Sequence, residues 1–500
     1  MDRFRVIPAL FAASLVALFV GLPYVTSFSP DSWTMFELAK TVGRDFFHAN
    51  TAREYTSGSE YSSAFAPLWP VLVAPFIRLT GSIQGSYVAA FAAYVGFALA
   101  AEQLGRRVFT QRGVGLLSAL LLLRFLGIRS ELGGGRSIPF YLLELALLGT
   151  LLLDVGRASQ RRLVLLGMVT GALVMTRFDA LPAALVVLLG IPLLGVRGLR
   201  WLVVAGGFAF AISPWVAYSL NHFHAPFATD NRSVALALDP NAFVFDFHFR
   251  PALTVRDAPG AWILKVIGHV PTIATSIVGA VMESVFLPLL APFVLWRAHR
   301  DGMQRPPLVP HSALVLLLLV VLAPIAGYVI TGYDDHRYYT ASIWLLEFLA
   351  VGYVMRGDEG VYRRVAIAFA AAGFILSAVV MRFAFAPDSQ AIARERFDQV
   401  PIDSLVRCLR QAGGQPADAV WFRGSHVVNP FKFGALTEWR VLPNPSNWMR
   451  LDAVERRAFL DKYGAVFVVG ERGSTDEFAG RPAVSVDCAM PVRRFVDARP

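Results

Sequence analysis

The arginines of this chain alternate with its apolar stretches in a way that fixes a topology before any fold is considered. The basic clusters are Arg3/Arg5, Arg106/Arg107/Arg112, Arg157/Arg161/Arg162, Arg197/Arg200, Arg297/Arg300/Arg305 and Arg356/Arg363/Arg364. Each is separated from the next by enough apolar sequence for two membrane passages, so all lie on one side, and the positive-inside rule makes that side the cytoplasm. The stretches around Asp31, Glu131, Arg177, His222 and Asp334, with everything after about residue 383, fall on the other side. The residues able to perform chemistry therefore face outward, which points to an outward-facing membrane enzyme.

Hydrophobic residues make up 55% of the 500 residues and charged residues only 16%. With a mean hydropathy of +0.53, the chain is too apolar for a soluble protein of this length and reads as a polytopic membrane protein. The net charge of +10 does not indicate nucleic acid, because the arginines form small clusters at helix ends and no continuous basic stripe. Anionic membrane lipids account for them better. Lysine is scarce, at Lys40, Lys265, Lys432 and Lys462, a weak codon-level sign of a GC-rich bacterial genome. Cys408 and Cys488 both fall in the outward portion, where a disulfide is permitted, but spacing alone does not decide between a bridge and two buried thiols. No Cys/His spacing typical of zinc occurs. The apolar run from Val6 to about Tyr24 follows a basic start but no A-x-A-like cleavage site, so it is expected to stay as a first span with a cytoplasmic N-terminus.

A crossing helix needs about 20 residues, and on that ruler about eleven spans are expected, near 6–25, 86–105, 114–130, 138–155, 163–176, 178–196, 201–220, 268–296, 312–330, 341–355 and 364–382. Trp201, Trp215, Trp296 and Trp344 lie near predicted span ends, as interfacial tryptophans do. The apolar stretch Ala66 to Leu79 is short and carries Pro67, Pro70 and Pro75. A crossing there would invert every later basic cluster, so it is expected to be re-entrant or to lie at the interface. The external loop 26–66 shows helical spacing at Trp33, Phe36, Leu38 and Val42, which suggests an amphipathic helix on the membrane surface. The second large external loop is 221–262. The expected architecture is thus an all-α polytopic domain over 1–385 and a small extracytoplasmic α/β domain over 386–500. In the latter, helical periodicity at Ile402, Leu405, Val406 and Leu409 precedes the strand-like segments DAVWFRG, WRVLP and AVFVVG. No glycine-rich phosphate loop follows its first strand.

Asp31, a few residues past the first span, is placed to act as a general base, although Asp is also a favoured helix N-cap. Taken in order, this acid, SSAFAPLWPVLVAPFIRLTG, GRRVFTQRG, TRFDALPAALVVLL, SPWVAYSLNHFHAPFATDNRS and DDHRYYTASIWLLEFLA resemble the GT-C membrane glycosyltransferases. The likeness is to the bacterial branch similar to dolichyl-phosphate-mannose protein mannosyltransferases and aminoarabinose transferases, over roughly residues 1–385. It implies an inverting transfer from a polyprenyl-phosphate sugar donor to a lipid, glycan or protein acceptor in a bacterial inner membrane. Asp31 matches the family's first-loop acid; Pro67, Leu68 and Trp69 match its PLY-type segment; Arg337 and Tyr338 match its external RY-type motif. Many relatives place an aspartate in the next external loop, where RSELGGGRS offers Glu131 as the candidate second catalytic acid, a substitution that puts a metal-binding role in doubt and leaves the part of a divalent cation open. Independently of it, a planar guanidinium suits a departing lipid phosphate, which singles out Arg337 and Arg177, with His336 as a further donor.

Each of these has a plainer reading as well: Arg177 could pair with Asp179, and Arg337 with Asp334 or Asp335. Arg53, Glu54 and Tyr55 could contact a substrate or simply be solvated. His222, His224 and His248 are spaced too loosely to indicate a metal, and Glu283 needs a partner within an apolar span. The rival functional classes are a transporter or flippase of lipid-linked saccharides, which should show internal repeats and mid-span charges, and a surface-polysaccharide polymerase or ligase, which lacks the acid after the first span.

Overall fold

The computed structural model describes residues 6–24, 26–52, 61–240, 243, 245–248, 253–283, 311–356, 368, 371, 375, 398–423, 428–470, 478, 480–488 and 490–496. Fourteen helices of the apolar portion are described: α1 Val6–Gly21, α2 Pro30–Thr41, α3 Leu68–Thr80, α4 Gln84–Phe109, α5 Val114–Leu122, α6 Leu126–Gly134, α7 Ile138–Leu152, α8 Gln160–Thr176, α9 Leu181–Gly190, α10 Leu199–Phe223, α11 Asp230–Leu236, α12 Pro259–Glu283, α13 His311–Thr331 and α14 Thr340–Arg356. Among the described residues five are long and apolar enough to cross a membrane, or six if the bent pair α6–α7 counts as one span. Of the expected span at 364–382 only residues 368, 371 and 375 are described, and the basic cluster Arg297/Arg300/Arg305 lies outside the described residues.

Several expectations are corrected. The stretch 114–130 is not one span: the helix breaks at residues 123–125, and α6 then turns by 115° into α7. The break is held by charge, because Arg124 bonds Glu347 of α14 at 2.9 Å, with side-chain exposures of 5% and 1%. A buried guanidinium and carboxylate must meet, and the backbone gives way to let them. Nor does α2 present one apolar face to a membrane surface. Ser32 to Ala39 are all buried, since α3 packs on one side and the C-terminal portion covers the other. Trp215 and Trp344 are fully buried among other rings rather than interfacial: Trp215 packs on Phe178 and Tyr218, and Trp344 on Phe97 and Phe348. The short α3 does form where the prolines and the apolar run predict.

Small residues set the approach of α8 to α10. A Cβ on Gly167 would overlap the Val204 carbonyl, and one on Gly171 would lie 2.6 Å from the Ala211 methyl. Close backbone contact through small-xxx-small spacing is how apolar helices associate where no water drives them together. It fixes the end of α8, and with it Thr176 and Arg177.

Among the described residues from 398 to 496 a five-stranded sheet runs in the order β2-β1-β3-β5-β4, with β1 Ala419–Phe422, β2 Arg440–Pro443, β3 Ala465–Val469, β4 Ala483–Ser485 and β5 Val492–Phe495. The β1–β2 and β1–β3 pairs are parallel, and β5 runs antiparallel to both β3 and β4. Helices α15 Val400–Gln411, α16 Pro430–Leu436 and α17 Ala453–Lys462 complete the layers. Central β1 is buried on both faces: Val420 and Phe422 pack with Leu405 and Phe433, while Trp421 packs with Trp448 and Phe459. Continuous burial is what a parallel central strand requires. A capping box between Asp452 and Glu455 opens α17. Cys408 of α15 and Cys488 after β4 form a disulfide, which resolves the choice that spacing left open.

Both of the large loops expected to be external, 26–66 and 221–262, are tied into this sheet. Asn50 and Ala52 exchange backbone hydrogen bonds with Val441 at the free edge of β2. Phe247 enters the cluster around Trp448 and Phe459, and its backbone is held by the Asn447 side chain at 3.0 and 2.8 Å.

Candidate active site

Four elements converge on one cavity of about 490 Å3. Asp31 sits in the first turn of α2, but it does not cap the helix. Ser29 is the N-cap and its hydroxyl accepts the Ser32 N–H. That leaves the Asp31 carboxylate available for tertiary contacts, and it accepts a 3.0 Å bond from Nη1 of Arg337 and lies 3.8 Å from Nη1 of Arg136.

Glu131 does not lie in a loop as expected; it belongs to α6. The helix ends at Gly135, whose φ of +65° is the left-handed conformation glycine adopts without penalty. The Gly135 N–H bonds the Leu132 carbonyl and the Arg136 N–H bonds the Glu131 carbonyl, the two bonds of a Schellman ending. This turn swings Arg136 back over its own helix, so that Nε comes within 3.1 Å of Glu131 Oε1. The same carboxylate oxygen is 3.8 Å from Arg337 Nη1, and Oε2 accepts the Ile138 N–H at 3.3 Å. Trp69 of the PLY-type segment donates its indole N–H to the Gly135 carbonyl at 3.2 Å and so steadies the turn.

Arg337 and Tyr338 lie in the 3-10 turn His336–Tyr339, capped by Asp335, which accepts the Arg337 N–H at 2.9 Å and lies 3.0 Å from its Nε. Gly127 of α6 allows this turn to approach, since a Cβ there would sit 3.0 Å from the Arg337 Cα. Burial pulls the Arg337 guanidinium down, yet Tyr338, Asp31, Glu131 and Asp335 outweigh it and hold it above its ordinary range. Burial raises the Tyr338 phenol.

Arg177 follows α8 and forms a two-toothed pair with Asp179 at 3.0 and 2.7 Å; Tyr328 donates to the same carboxylate at 2.8 Å. The guanidinium centres of Arg177 and Arg337 both lie over the Tyr338 ring, at 5.3 and 5.2 Å from its centroid, within cation–π range.

The structure therefore brings together Asp31, Glu131, Arg177, Arg337 and Tyr338, all lining the cavity. The plainer ion pairs anticipated for Arg177 with Asp179 and for Arg337 with Asp335 are present as well, so pairing and a place in the cavity are compatible. Arg53 lies outside the described residues, as do Glu54, Tyr55 and the His336 side chain. His222, His224 and His248 do not line the cavity; His222 stacks on Tyr61 at 3.8 Å. Glu283 finds its partner in the Leu126 N–H at 2.7 Å.

Sequence reading missed Arg136 and Tyr328. The signal for Arg136 was an arginine at the mouth of an apolar span directly after a glycine run, a place where a charge needs a partner. Among the described residues no group of three or more His, Cys, Asp or Glu side chains could hold a metal ion. A cation at Asp31 and Glu131 would have to displace Arg136 or Arg337.

No family profile and no characterised protein sequence matches the chain. Solved structures do. ArnT, the aminoarabinose transferase from Cupriavidus metallidurans, bound to undecaprenyl phosphate, aligns with a TM-score of 0.57 at 13% identity, over 99% of this chain and 98% of that one. Its apo state gives 0.54 at 15%, over 98% and 97%. The oligosaccharyltransferase AglB from Archaeoglobus fulgidus, in complex with an inhibitory peptide and a dolichol-phosphate, gives 0.53 at 13%, over 93% and 69%. The chain thus shares the fold of these proteins.

Proposed function

We propose that this protein is an integral membrane glycosyltransferase that moves a sugar from a polyprenyl-phosphate-linked donor to an acceptor on the extracytoplasmic face of a bacterial inner membrane. The observation that carries the reading is the 3.0 Å contact between Asp31 and Arg337, from sequence positions far apart, on the wall of one cavity. The arginine clusters support a cytoplasmic N-terminus, and the Cys408–Cys488 disulfide supports an oxidising compartment for the sheet. Two of the solved neighbours were captured with undecaprenyl phosphate or a dolichol-phosphate.

In the proposed reaction an acceptor hydroxyl or amine attacks the anomeric carbon opposite the lipid phosphate. The bond from that carbon to the phosphate oxygen breaks, its electron pair leaves on the phosphate, the acceptor proton passes to Asp31, and the configuration inverts. A carboxylate clamped by a guanidinium is a poor base, because the positive charge favours its ionised form. The lipid phosphate resolves this by taking Arg337 for itself, which frees Asp31 as the donor arrives. Arg337 and Arg136 then face the charge that grows on the departing phosphate, in a site fixed before the reaction begins. Arg177, oriented by Asp179, bounds the same space, and Glu131 keeps Arg136 in place.

The test is transfer by membranes supplied with undecaprenyl-phosphate-linked pentoses and hexoses and an envelope extract as acceptor source. Asp31→Asn is expected to insert and fold normally and to transfer nothing. Full transfer by that variant removes the base assignment, and failure of the wild type to consume any lipid-phosphate sugar removes the function.

A further inference from the structure

Glu37 is the one acid of α2 that the proposed reaction does not use, and it is buried, with 3% of its surface exposed. It stands two turns beyond Asp31 on the same helix. Its Oε1 accepts the N–H groups of Asn50 and Thr51, the latter at 3.2 Å. Those residues are the ones laid along the free edge of the sheet: Ala52 donates to the Val441 carbonyl and Val441 donates to the Asn50 carbonyl, each at 2.9 Å. From the other side Gly434 of α16 presses on Thr51, where a Cβ would overlap the threonine hydroxyl. One turn along α2, Lys40 donates to the Ala435 carbonyl at 2.8 Å, and Lys432 of α16 lies 5.8 Å over the Trp33 ring.

A carboxylate taken out of water needs its hydrogen bonds satisfied by the protein. Here the donors come from a segment whose own position is set by β2. The helix carrying Asp31 is therefore tied to the sheet edge itself through the Glu37 side chain, beside the contacts that Lys40 and Trp33 make with α16. We propose that Glu37 is a positioning residue: it latches α2 to the sheet edge and so holds Asp31 at the distance from Arg337 that transfer requires. The inference rests on the proposed function for its catalytic consequence. The latch itself is testable without it.

Two variants separate latch from fold. Glu37→Ala removes the acceptor; Glu37→Gln keeps a carbonyl oxygen for both N–H groups. The donor is whichever undecaprenyl-phosphate pentose or hexose the wild type consumes. With it, Glu37→Ala is expected to lower the single-turnover transfer rate by about 10- to 100-fold, the effect of a base misplaced by about 1 Å. Affinity for undecaprenyl phosphate should not weaken, and Glu37→Gln should restore the rate. Hydrogen exchange at Asn50 and Thr51 should accelerate in Glu37→Ala and stay slow in Asp31→Asn. A folded Glu37→Ala with the wild-type rate overturns the proposal, as does an equal loss in the Gln variant, which would mean that charge and not hydrogen-bond acceptance matters. Should Glu37→Ala fail to fold, Gly434→Ala displaces Thr51 from the opposite side, and a wild-type rate in that variant overturns the proposal equally. If the wild type consumes no donor, the function has failed, and exchange at Asn50 and Thr51 alone decides whether the latch exists.

Discussion

If the lipid phosphate and Asp31 compete for Arg337, then removing the charge of Asp31 must tighten lipid-phosphate binding while it abolishes transfer. The perturbation is Asp31→Asn, compared with Arg337→Gln. In the resting site Arg337 donates to Asp31 at 3.0 Å, with side-chain exposures of 19% and 22%, so the pair is only lightly screened by solvent. A hydrogen bond to a charged group contributes about 1.5–3 kcal/mol. Arg337 also lies 3.0 Å from Asp335 and 3.8 Å from Glu131, so the amide substitution releases only part of the guanidinium. The gain is therefore set at about 1–2 kcal/mol, or undecaprenyl phosphate bound roughly 5- to 30-fold more tightly. Arg337→Gln removes the charge-assisted contact itself and should weaken binding by roughly 10- to 100-fold. Displacement of labelled undecaprenyl phosphate from protein in detergent, at pH 7 and fixed salt, measures both. The opposite signs are the test. An Asp31→Asn protein that binds the lipid more weakly than the wild type, or an Arg337→Gln protein that binds it equally well, refutes the competition.

Glu347→Ala strands the Arg124 guanidinium inside the helix bundle and is expected to cost about 3–5 kcal/mol, seen as a lower Tm and poor recovery of monodisperse protein; pairing it with Arg124→Met should recover much of the loss. Burial pushes the Glu37 carboxyl above its ordinary value of 4.5, against the opposing N–H groups of Asn50 and Thr51. A group raised in the folded state contributes stability below its unfolded value and loses it as pH rises through the folded one. The wild-type Tm should therefore fall as pH increases from about 4.5 toward neutrality, and Glu37→Gln should flatten that part of the profile. Cys408→Ser opens a loop closed over a separation of 80 residues, which in the chain-entropy description costs about 4 kcal/mol. Faster proteolysis of the 398–496 region would register it, and an unchanged digestion rate would contradict it.

How much of this was legible in the sequence differs from one residue to the next. Arg337 stood out because a charge beside an apolar span is costly without a use, while Asp31 and Tyr338 stood out as matches to the first-loop acid and the RY-type motif of the resemblance; each lines the cavity. Arg136 went unnoticed because its place depends on a left-handed turn at Gly135 that folds it over Glu131, a relation carried by backbone conformation rather than by residue type. The strands at 419–422, 440–443 and 465–469 could be read from their continuous apolar runs, whereas β4 and β5 could not. Ala483–Ser485 is largely exposed, and Val492–Phe495 carries two arginines at its centre.

By itself, the sequence determined that the chain is a helical membrane protein, because hydropathy acts locally along the chain and needs no partner to be read. It also determined which acid and which arginine were worth watching. Only the tertiary structure decided that α2 is enclosed between the helical bundle and the sheet instead of lying on a surface, and that the span near 114–130 is broken. It likewise decided that eight charged residues from four distant segments line one cavity. Those outcomes depend on long-range pairing of buried charges and on backbone hydrogen bonds between the loop after α2 and a sheet edge. A buried charge takes its energy from the group opposite it, and no periodicity within a single segment names that group.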